Sequence, residues 1–591
     1  MSKWMVSAKK ADFEAIASKF NIDKVLARII RNRDIVSDEE IDYFLNGTLK
    51  DIHDPALMKD LSKASGLIKE AIGEGKYIRI IGDYDVDGIT STYILLKGLK
   101  TMGARVDTVI PHRIRDGYGL NDNLIEEANR DGVNLILTCD NGIAASPQVS
   151  LANSLGMEVI VTDHHEVPFD ITPEGKKYII PEALAVVDPK QDDCPYPFKS
   201  ICGAVVAYKL IGYIFNGEHK EVYDELLPFA ALGTICDVMD LKDENRIIVK
   251  EGLKAMAETK NFGLKALLMV NDLTDKPLTN YHMGFVVGPC LNATGRLDTA
   301  SRALELFDAP DFKSAVTIAT ELKALNESRK KMTEDGVEEA DELIVSTGLY
   351  NDKVLVIYLP SVHESLAGII AGRIKEKYMR PTFVVTNAEE GLKGSGRSIE
   401  AYDMYEALTE VKDLFTKFGG HKMAAGISLR DEDSLKELRR RLNENANLTD
   451  DDFVKKIHID VPMPLSYISE NFIESLDILE PFGTGNPKPV FATKDISLLS
   501  YIKIGKNKNV GKFKVKDANG FLFDMISFGP LEDFDEFLVN NFGKEKFDDL
   551  LNERVSGSDI MISIVYYPEI NEFRGRCSIQ IIMNDYDVSK K

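Results

Sequence analysis

No stretch of this 591-residue chain approaches the ~18–20 consecutive apolar residues that a helix needs to cross a bilayer. The opening residues, Met1-Ser2-Lys3-Trp4-Met5-Val6-Ser7, lack the apolar core of a secretory signal, so a cytoplasmic setting without a membrane is expected. Cysteine is scarce: the six residues at 139, 194, 202, 236, 290 and 577 include no Cys-x-x-Cys pair. A disulfide framework and a zinc knuckle are thereby excluded, and a reducing compartment fits. No Gly-x-x-x-x-Gly-Lys-Ser/Thr loop for ATP is present. Basic excess is lacking too: 72 Lys and Arg stand against 95 Asp and Glu, a formal charge of −23. General polyanion binding is disfavoured, and any nucleic-acid site must be a local concentration of Lys and Arg.

What is present is an ordinary globular composition, 44% hydrophobic and 28% charged, over a length that implies several domains. Its most informative segment is Gly82-Asp83-Tyr84-Asp85-Val86-Asp87-Gly88. The preceding Tyr77-Ile78-Arg79-Ile80-Ile81 has the character of a buried strand, and Ile89 to Met102 has helical apolar spacing. Carboxylates at alternate positions therefore sit at the carboxyl end of a strand, where open α/β sheets place their chemistry. An EF-hand is a poor alternative, because its loop needs a Glu at position 12 and a helix before it; here position 12 is Ile94 and a strand precedes. A solvated acidic turn is the other bland reading. It loses weight because the pattern repeats in Leu135-Ile136-Leu137-Thr138-Cys139-Asp140-Asn141-Gly142, in Val159-Ile160-Val161-Thr162-Asp163-His164-His165 and in Leu232-Gly233-Thr234-Ile235-Cys236-Asp237. Carboxylates joined by imidazole make a donor set for Mg²⁺ or Mn²⁺, with the imidazole favouring Mn²⁺.

The pattern along the chain predicts a helical lead-in over 1–60. Strands follow at 77–83, 106–110, 134–139, 158–163 and 185–188, alternating with helices near 88–102, 121–131 and 145–155. That alternation predicts a largely parallel sheet with helices on both faces. Residues 311–345 read as a long connecting helix. A second α/β stretch starts at Val354 and holds a Gly-rich region over 391–426. Beyond Pro481 to Pro487 the chain becomes strand-rich, which fits a small β-barrel over 458–585.

With these motifs in hand, the chain resembles the DHH-family phosphoesterases, named for the triplet matched by Asp163-His164-His165, and within them the single-stranded-DNA exonucleases. The resemblance runs from about 75 to 495. It includes Pro111-His112-Arg113, Asp116 to Leu120, Gly288-Pro289, Leu291 to Asp298, Gly394-Ser395-Gly396-Arg397-Ser398, Lys417 to His421 and Gly483 to Pro487. One departure stands out: Val362 and Ser365 occupy positions where the family pattern carries Trp and Gly.

The resemblance implies a fold of two α/β domains, DHH over 61–310 and DHH-associated over 346–450, joined by the helix 311–345. An OB-like β-barrel over 451–591 would complete it. It implies two ions, Mn²⁺ or Mg²⁺, on Asp85, Asp87, Asp140, His164 and Asp237, with Asp83 a further ligand, Asp140 bridging and His165 facing the scissile phosphate. Arg113, Arg296, Ser395, Arg397 and His421 would hold a terminal 5′-phosphate; glycines, a hydroxyl and a forked guanidinium suit an anion. Lys503, Lys506, Lys508, Lys512, Lys514 and Lys516, interleaved with Tyr501 and Phe513, form the local basic strip that DNA requires. The expected activity is metal-dependent 5′-to-3′ exonucleolytic hydrolysis of single-stranded DNA in repair and recombination. A separate helicase and a single-strand-binding protein would be partners. The rivals are a DHH phosphodiesterase acting on short oligonucleotides or cyclic dinucleotides, and a catalytically silent replication scaffold.

Overall fold

The computed structural model describes residues 2–113, 119–173, 175–388, 391–554, 559–573 and 575–589, which divide into two compact units. One unit holds residues 47–453 with 483–485, and the other holds 1–46, 454–482 and 486–591.

In the larger unit, β1 (Tyr77–Ile81), β2 (Arg105–Val109), β3 (Leu135–Cys139), β4 (Glu158–Thr162) and β5 (Ala185–Val187) form a parallel sheet in the order β2-β1-β3-β4-β5. Alternate residues of these apolar runs serve two cores. Ile78, Ile80, Leu135, Leu137 and Ile160 face the helices α1 (Val86–Thr101), α4 (Gly203–Phe215) and α5 (Lys220–Cys236). Ile81, Ile136, Val159 and Val161 face α2 (Asp122–Arg130) and α3 (Ser146–Ser154). Coverage on both faces explains why the strands read as continuous apolar runs. β1 ends at Ile81, two residues short of the predicted end, which leaves Asp83 in the turn beyond it.

Helix α6 (Gly288–Leu297) precedes α7 (Phe312–Thr347), a 36-residue helix capped by the Asp311 side chain and ended by Gly348 in the left-handed region at φ 74°. The second sheet has the order β9-β10-β8-β7-β6, from β6 (Leu355–Tyr358), β7 (Thr382–Asn387), β8 (Leu392–Arg397), β9 (Phe415–His421) and β10 (Ala424–Leu429). Helix α8 (Ala367–Tyr378) packs on it through Ile370 and Ile374, whose core includes Ile357 and Val384. The Gly-rich region expected from sequence is the antiparallel part of this sheet, β8 to β10.

The smaller unit is a barrel of β11 (Phe491–Ile504), β12 (Val510–Lys516), β13 (Leu522–Ser527), β14 (Met561–Phe573) and β15 (Arg576–Val588). Neighbours pair in the order β11-β12-β13-β15-β14, and β14 returns to β11, closing the ring. Residues 1–46 belong to this unit rather than to a separate helical lead-in: a strand at Lys3–Val6 pairs in parallel with Lys456–Ile459. The buried Arg33 guanidinium also grips the Asp460 carboxylate at 2.6 and 3.1 Å. Two residues distant in sequence meet there, which local periodicity cannot foretell. Among the described residues, no helix is long and apolar enough to cross a membrane.

Candidate metal centre and anion site

All the strands of the first sheet run the same way, so their carboxyl ends share one edge, and the acidic motifs converge there. Asp85 caps α1, accepting the Gly88 N–H at 3.0 Å. Gly88 is required, because a Cβ there would collide with the backbone of Asp83. Asp87 accepts the Gly203 and Ala204 N–H groups at 2.7 and 2.8 Å, anchored by the start of α4, where the helix dipole favours an anion. Asp140 follows β3 with φ 60°, a left-handed conformation that Asp tolerates better than most residues. Asp237 ends α5, and the exposed Val238 behind it has φ 57°, a genuine outlier for a β-branched residue. Strain of this kind concentrates at functional sites.

His164 Nε2 lies 2.9 Å from Asp140, 3.5 Å from Asp87 and 3.7 Å from Asp237. Three sets of donor atoms lie within 4.8 Å of one another: Asp83/Asp85/Asp140, Asp87/His164/Asp237 and Asp140/His164/His165. Asp140 and His164 each belong to two of them, Asp140 being the one carboxylate that does. Burial and the neighbouring carboxylates push Asp83 and Asp237 up to about 8, and lift Asp85 and Asp140 as well. Both carboxylate oxygens of Asp83 are buried without a hydrogen-bond partner. Buried carboxylates crowded in this way call for cations, and the oxygen and imidazole donors fit hard divalent ions.

Asp163, the first residue of the triplet, is not in any of these sets. Its carboxylate takes His165 Nδ1 at 2.7 Å and the N–H groups of Ile143, His164 and His165. Burial opposes the imidazolium, but the Asp163 bond and charge outweigh it, raising His165 to about 9. The same partnership holds Asp163 below its usual range despite burial. Sequence analysis passed over Asp163 as a working residue, although its place directly before two histidines was the available signal.

The arginines gather where α6, α7 and the second α/β domain meet. Burial, then the charges of Arg113, Arg329 and Arg397, bring Arg296 down to about 9. Burial and Arg113 also lower Arg397, and burial and Arg373 lower Arg329. No ion pair among the described residues neutralises Arg296, Arg329, Arg373 or Arg397, and the Nε atoms of Arg296 and Arg329 are buried without partners. Arg397 donates to Ser395 Oγ at 3.1 Å, and both lie against Gly368 in the first turn of α8, whose N-terminus has no side-chain cap. Crowded guanidiniums and a hydroxyl make an anion site. Arg329 and Arg373 were missed in sequence because a lone Arg on a polar helix resembles any surface charge. The departure at Ser365 adds a hydroxyl that donates to the Arg296 carbonyl at 3.2 Å, beside the bond of Arg296 Nη1 to the Ser365 backbone carbonyl at 2.6 Å.

Arg113 links the two regions. Its guanidinium stacks on the Tyr84 ring at 4.8 Å, and its charge is felt by Asp83 as well as by Arg296 and Arg397. Of the segment Asp116 to Leu120, residues 116–118 lie outside the described residues. His421 ends β9, exposed, its Nδ1 accepting the Met423 N–H at 3.3 Å. A cavity of about 450 Å³ is lined by Tyr84, Ser395, Phe418, Gly419 and Gly426, without His421.

On the barrel the basic strip is reshaped. Tyr501 and Phe513 do not interleave with the lysines at the surface. They stack on each other at 4.6 Å in the core, 1% and 0% exposed, because strand alternation turns them inward. Lys503 pairs with Asp535 at 2.5 Å. Lys506 and Lys508 occupy the exposed hairpin tip. Lys512, Lys514 and Lys516 share the other face of β12, where Lys512 stands in register with the exposed Ile502.

Family models match this chain in three places: the DHH family N-terminal domain at 77–234, the DHHA1 domain at 351–447 and the RecJ OB domain at 459–585. The single-stranded-DNA-specific exonuclease RecJ of Bacillus subtilis strain 168 is 35% identical over all of this chain and 71% of its own length. The chain belongs to the RecJ family of DHH proteins. The RecJ of Escherichia coli K12 is 33% identical over 95% of both chains. The crystal structure of RecJ from Thermus thermophilus in complex with Mn²⁺ superposes with a TM-score of 0.80 at 26% identity, covering 100% of this chain and 80% of that one. The same protein has been solved with Mg²⁺, at a TM-score of 0.73. The expected architecture of two α/β domains and an OB barrel is thus the architecture of the family.

Proposed function

We propose that this chain is a metal-dependent exonuclease that removes nucleoside 5′-monophosphates from the 5′ end of single-stranded DNA. The observation that carries the reading is adjacency: the arginine site adjoins the acidic centre through Arg113, so an end phosphate and the first phosphodiester can be held together. Family membership supports the reaction class, since the RecJ relatives are named single-stranded-DNA-specific exonucleases. Asp83, Asp85, Asp87, Asp140, His164 and Asp237 would hold Mn²⁺ or Mg²⁺, with Asp140 between two ions because it is the carboxylate shared by two donor sets and has two oxygens to offer. Bound ions would activate water and neutralise charge on the phosphate.

The protein's own residues do the rest. Asp163 fixes the His165 ring by Nδ1 and favours its charged form, so Nε2 is the nitrogen that meets the scissile phosphate. Ser395, Arg397, Arg296 and Arg113 seat the 5′-phosphate and align the next linkage, and the exposed His421 at the end of β9 is a further phosphate contact in this reading. Lys506, Lys508, Lys512 and Lys514 on the barrel, with Lys503 tied to Asp535, contribute backbone contacts of the sequence-independent kind. The working division is the catalytic domain 61–310, the connector 311–345, the phosphate-binding domain 346–450 and the DNA-binding barrel 451–591 with the N-terminal 46 residues. Lacking an ATP loop, the enzyme would depend on a separate helicase for single strands and meet them coated by a single-strand-binding protein in the cytoplasm. The test is digestion of 5′- and 3′-labelled single strands with Mn²⁺, Mg²⁺ or EDTA. Immediate loss of the 5′ label as mononucleotide is expected; loss of the 3′ label first overturns the polarity.

A further inference from the structure

The five parallel strands of the first sheet end on one edge, and the two outermost each lead to a cation. β2 leads to Arg113 on the arginine side. β5, at the opposite border, leads through Asp188 and Pro189 to Lys190. Four inter-strand gaps separate the ends of these border strands by roughly 20 Å, so the two cations start from opposite sides of the sheet edge. The acidic centre lies on the strands between them.

The turn that carries Lys190 is built rigidly. The Lys190 N–H donates to Asp188 Oδ1 at 2.7 Å, and the Gln191 side chain donates to the Val186 carbonyl at 2.8 Å. The Asp163 N–H reaches back to the Val187 carbonyl at 3.0 Å, locking the turn against the Asp163-His164-His165 segment. Pro189 restricts the backbone further. The ammonium group lies 3.2 Å from Glu166, the residue after His165, and that carboxylate is 88% exposed. Its charge is felt by Asp188, by Asp237 and by His164. A lysine held beside a metal centre, with a solvated acid as its one ion-pair partner among the described residues, can exchange that partner for a phosphate at little cost.

We infer that Lys190 binds the backbone phosphate on the 3′ side of the scissile linkage, so that the strand crosses the sheet edge from Arg113 at its 5′ end to Lys190 on the body of the strand. The inference rests on the proposed entry of the 5′ end at the arginine site. It gives a structural basis for preferring strands over the shortest products, since a 5′-phosphorylated dinucleotide has an end phosphate and a scissile phosphate but nothing for Lys190.

The test compares kcat/KM on a 5′-phosphorylated dinucleotide and trinucleotide for the wild type, Lys190→Met, Lys190→Arg and Glu166→Gln. Lys190→Met should lower trinucleotide turnover on the order of tenfold, the lower end for a hydrogen bond to a charged group, and leave the dinucleotide unchanged. Lys190→Arg should restore most of it, and Glu166→Gln should behave as wild type. The log–log salt slope of single-strand binding should fall by about 0.7 in Lys190→Met, the share of one phosphate. Equal loss on both substrates, or loss on neither, overturns the assignment. So does matching damage from Glu166→Gln, which would make the ion pair structural. If the wild type hydrolyses neither substrate, the exonuclease reading itself fails, and this inference with it.

Discussion

Asp140 is the most exposed to test at the scale of single residues, since it sits in two donor sets and in the left-handed region. Asp140→Ala should abolish hydrolysis with the fold intact, because two cations lose their common counter-charge. Retention of more than about a tenth of the activity at saturating Mn²⁺, the effect of an outer-shell partner, would refute bridging. The two histidines should part company. His164→Ala should weaken metal binding, whereas His165→Ala should chiefly lower kcat, as calorimetric titration beside steady-state kinetics will show. The carboxylates also set a pH dependence. Asp83 and Asp237 have folded values near 8, above those of an unfolded chain near 4. Their contribution to stability is therefore present below about pH 4 and lost as pH rises through about 8 in the metal-free protein. Mn²⁺ relieves that repulsion, so its effect on Tm should grow between pH 6 and 8.5. A Tm shift that is flat across this range would mean the acids are already ionised apart from one another.

Among the elements, helix α8 and strand β8 matter most. The first turn of α8 lies against Ser395 and Arg397, so a terminal phosphate there would meet a hydroxyl and a guanidinium at once. Arg397→Ala should erase the preference for 5′-phosphate over 5′-hydroxyl strands, a loss of about 1.5–3 kcal/mol in binding. Ser395→Ala should do so to a smaller degree. The measurement is kcat/KM on both ends for each protein; a wild type indifferent to the phosphate would show that this strand serves another anion. Equal loss on both ends in Arg397→Ala would assign that arginine to the fold or to internal phosphates. The start of this second α/β domain near Val354 was legible in the sequence, but the Gly-rich stretch 391–426 was not resolved into strands. Glycine lacks the alternating side chains from which pairing is read.

For the whole molecule, the unit formed by 1–46 with 454–482 and 486–591 depends on contacts between the two ends of the chain. The Arg33–Asp460 pair is buried on both sides, and Asp460 also receives the Val490 N–H at 3.0 Å. Arg33→Ala leaves a buried carboxylate uncompensated, at a cost of about 3–5 kcal/mol. The barrel's unfolding transition should drop in temperature and single-strand binding should weaken, while the α/β unit's own transition stays put. Calorimetry on the full chain checks this, and a single unshifted transition would show that the pair contributes little.

By itself the sequence determined the strand-end acids, the DHH triplet, the Gly-Ser-Gly-Arg-Ser motif and the succession of two α/β domains and a barrel. Each is a local pattern, a period of two or 3.6 followed by residues of definite chemistry. Tertiary structure alone decided which acids share donor sets, that Asp163 serves His165 rather than a metal set, and that Arg329 joins Arg113, Arg296 and Arg397. It also decided that Tyr501 and Phe513 are core and that the N-terminal 46 residues belong with the barrel. These are relations between side chains brought from distant segments to one place. Distance and desolvation assign their roles, and a linear pattern records neither.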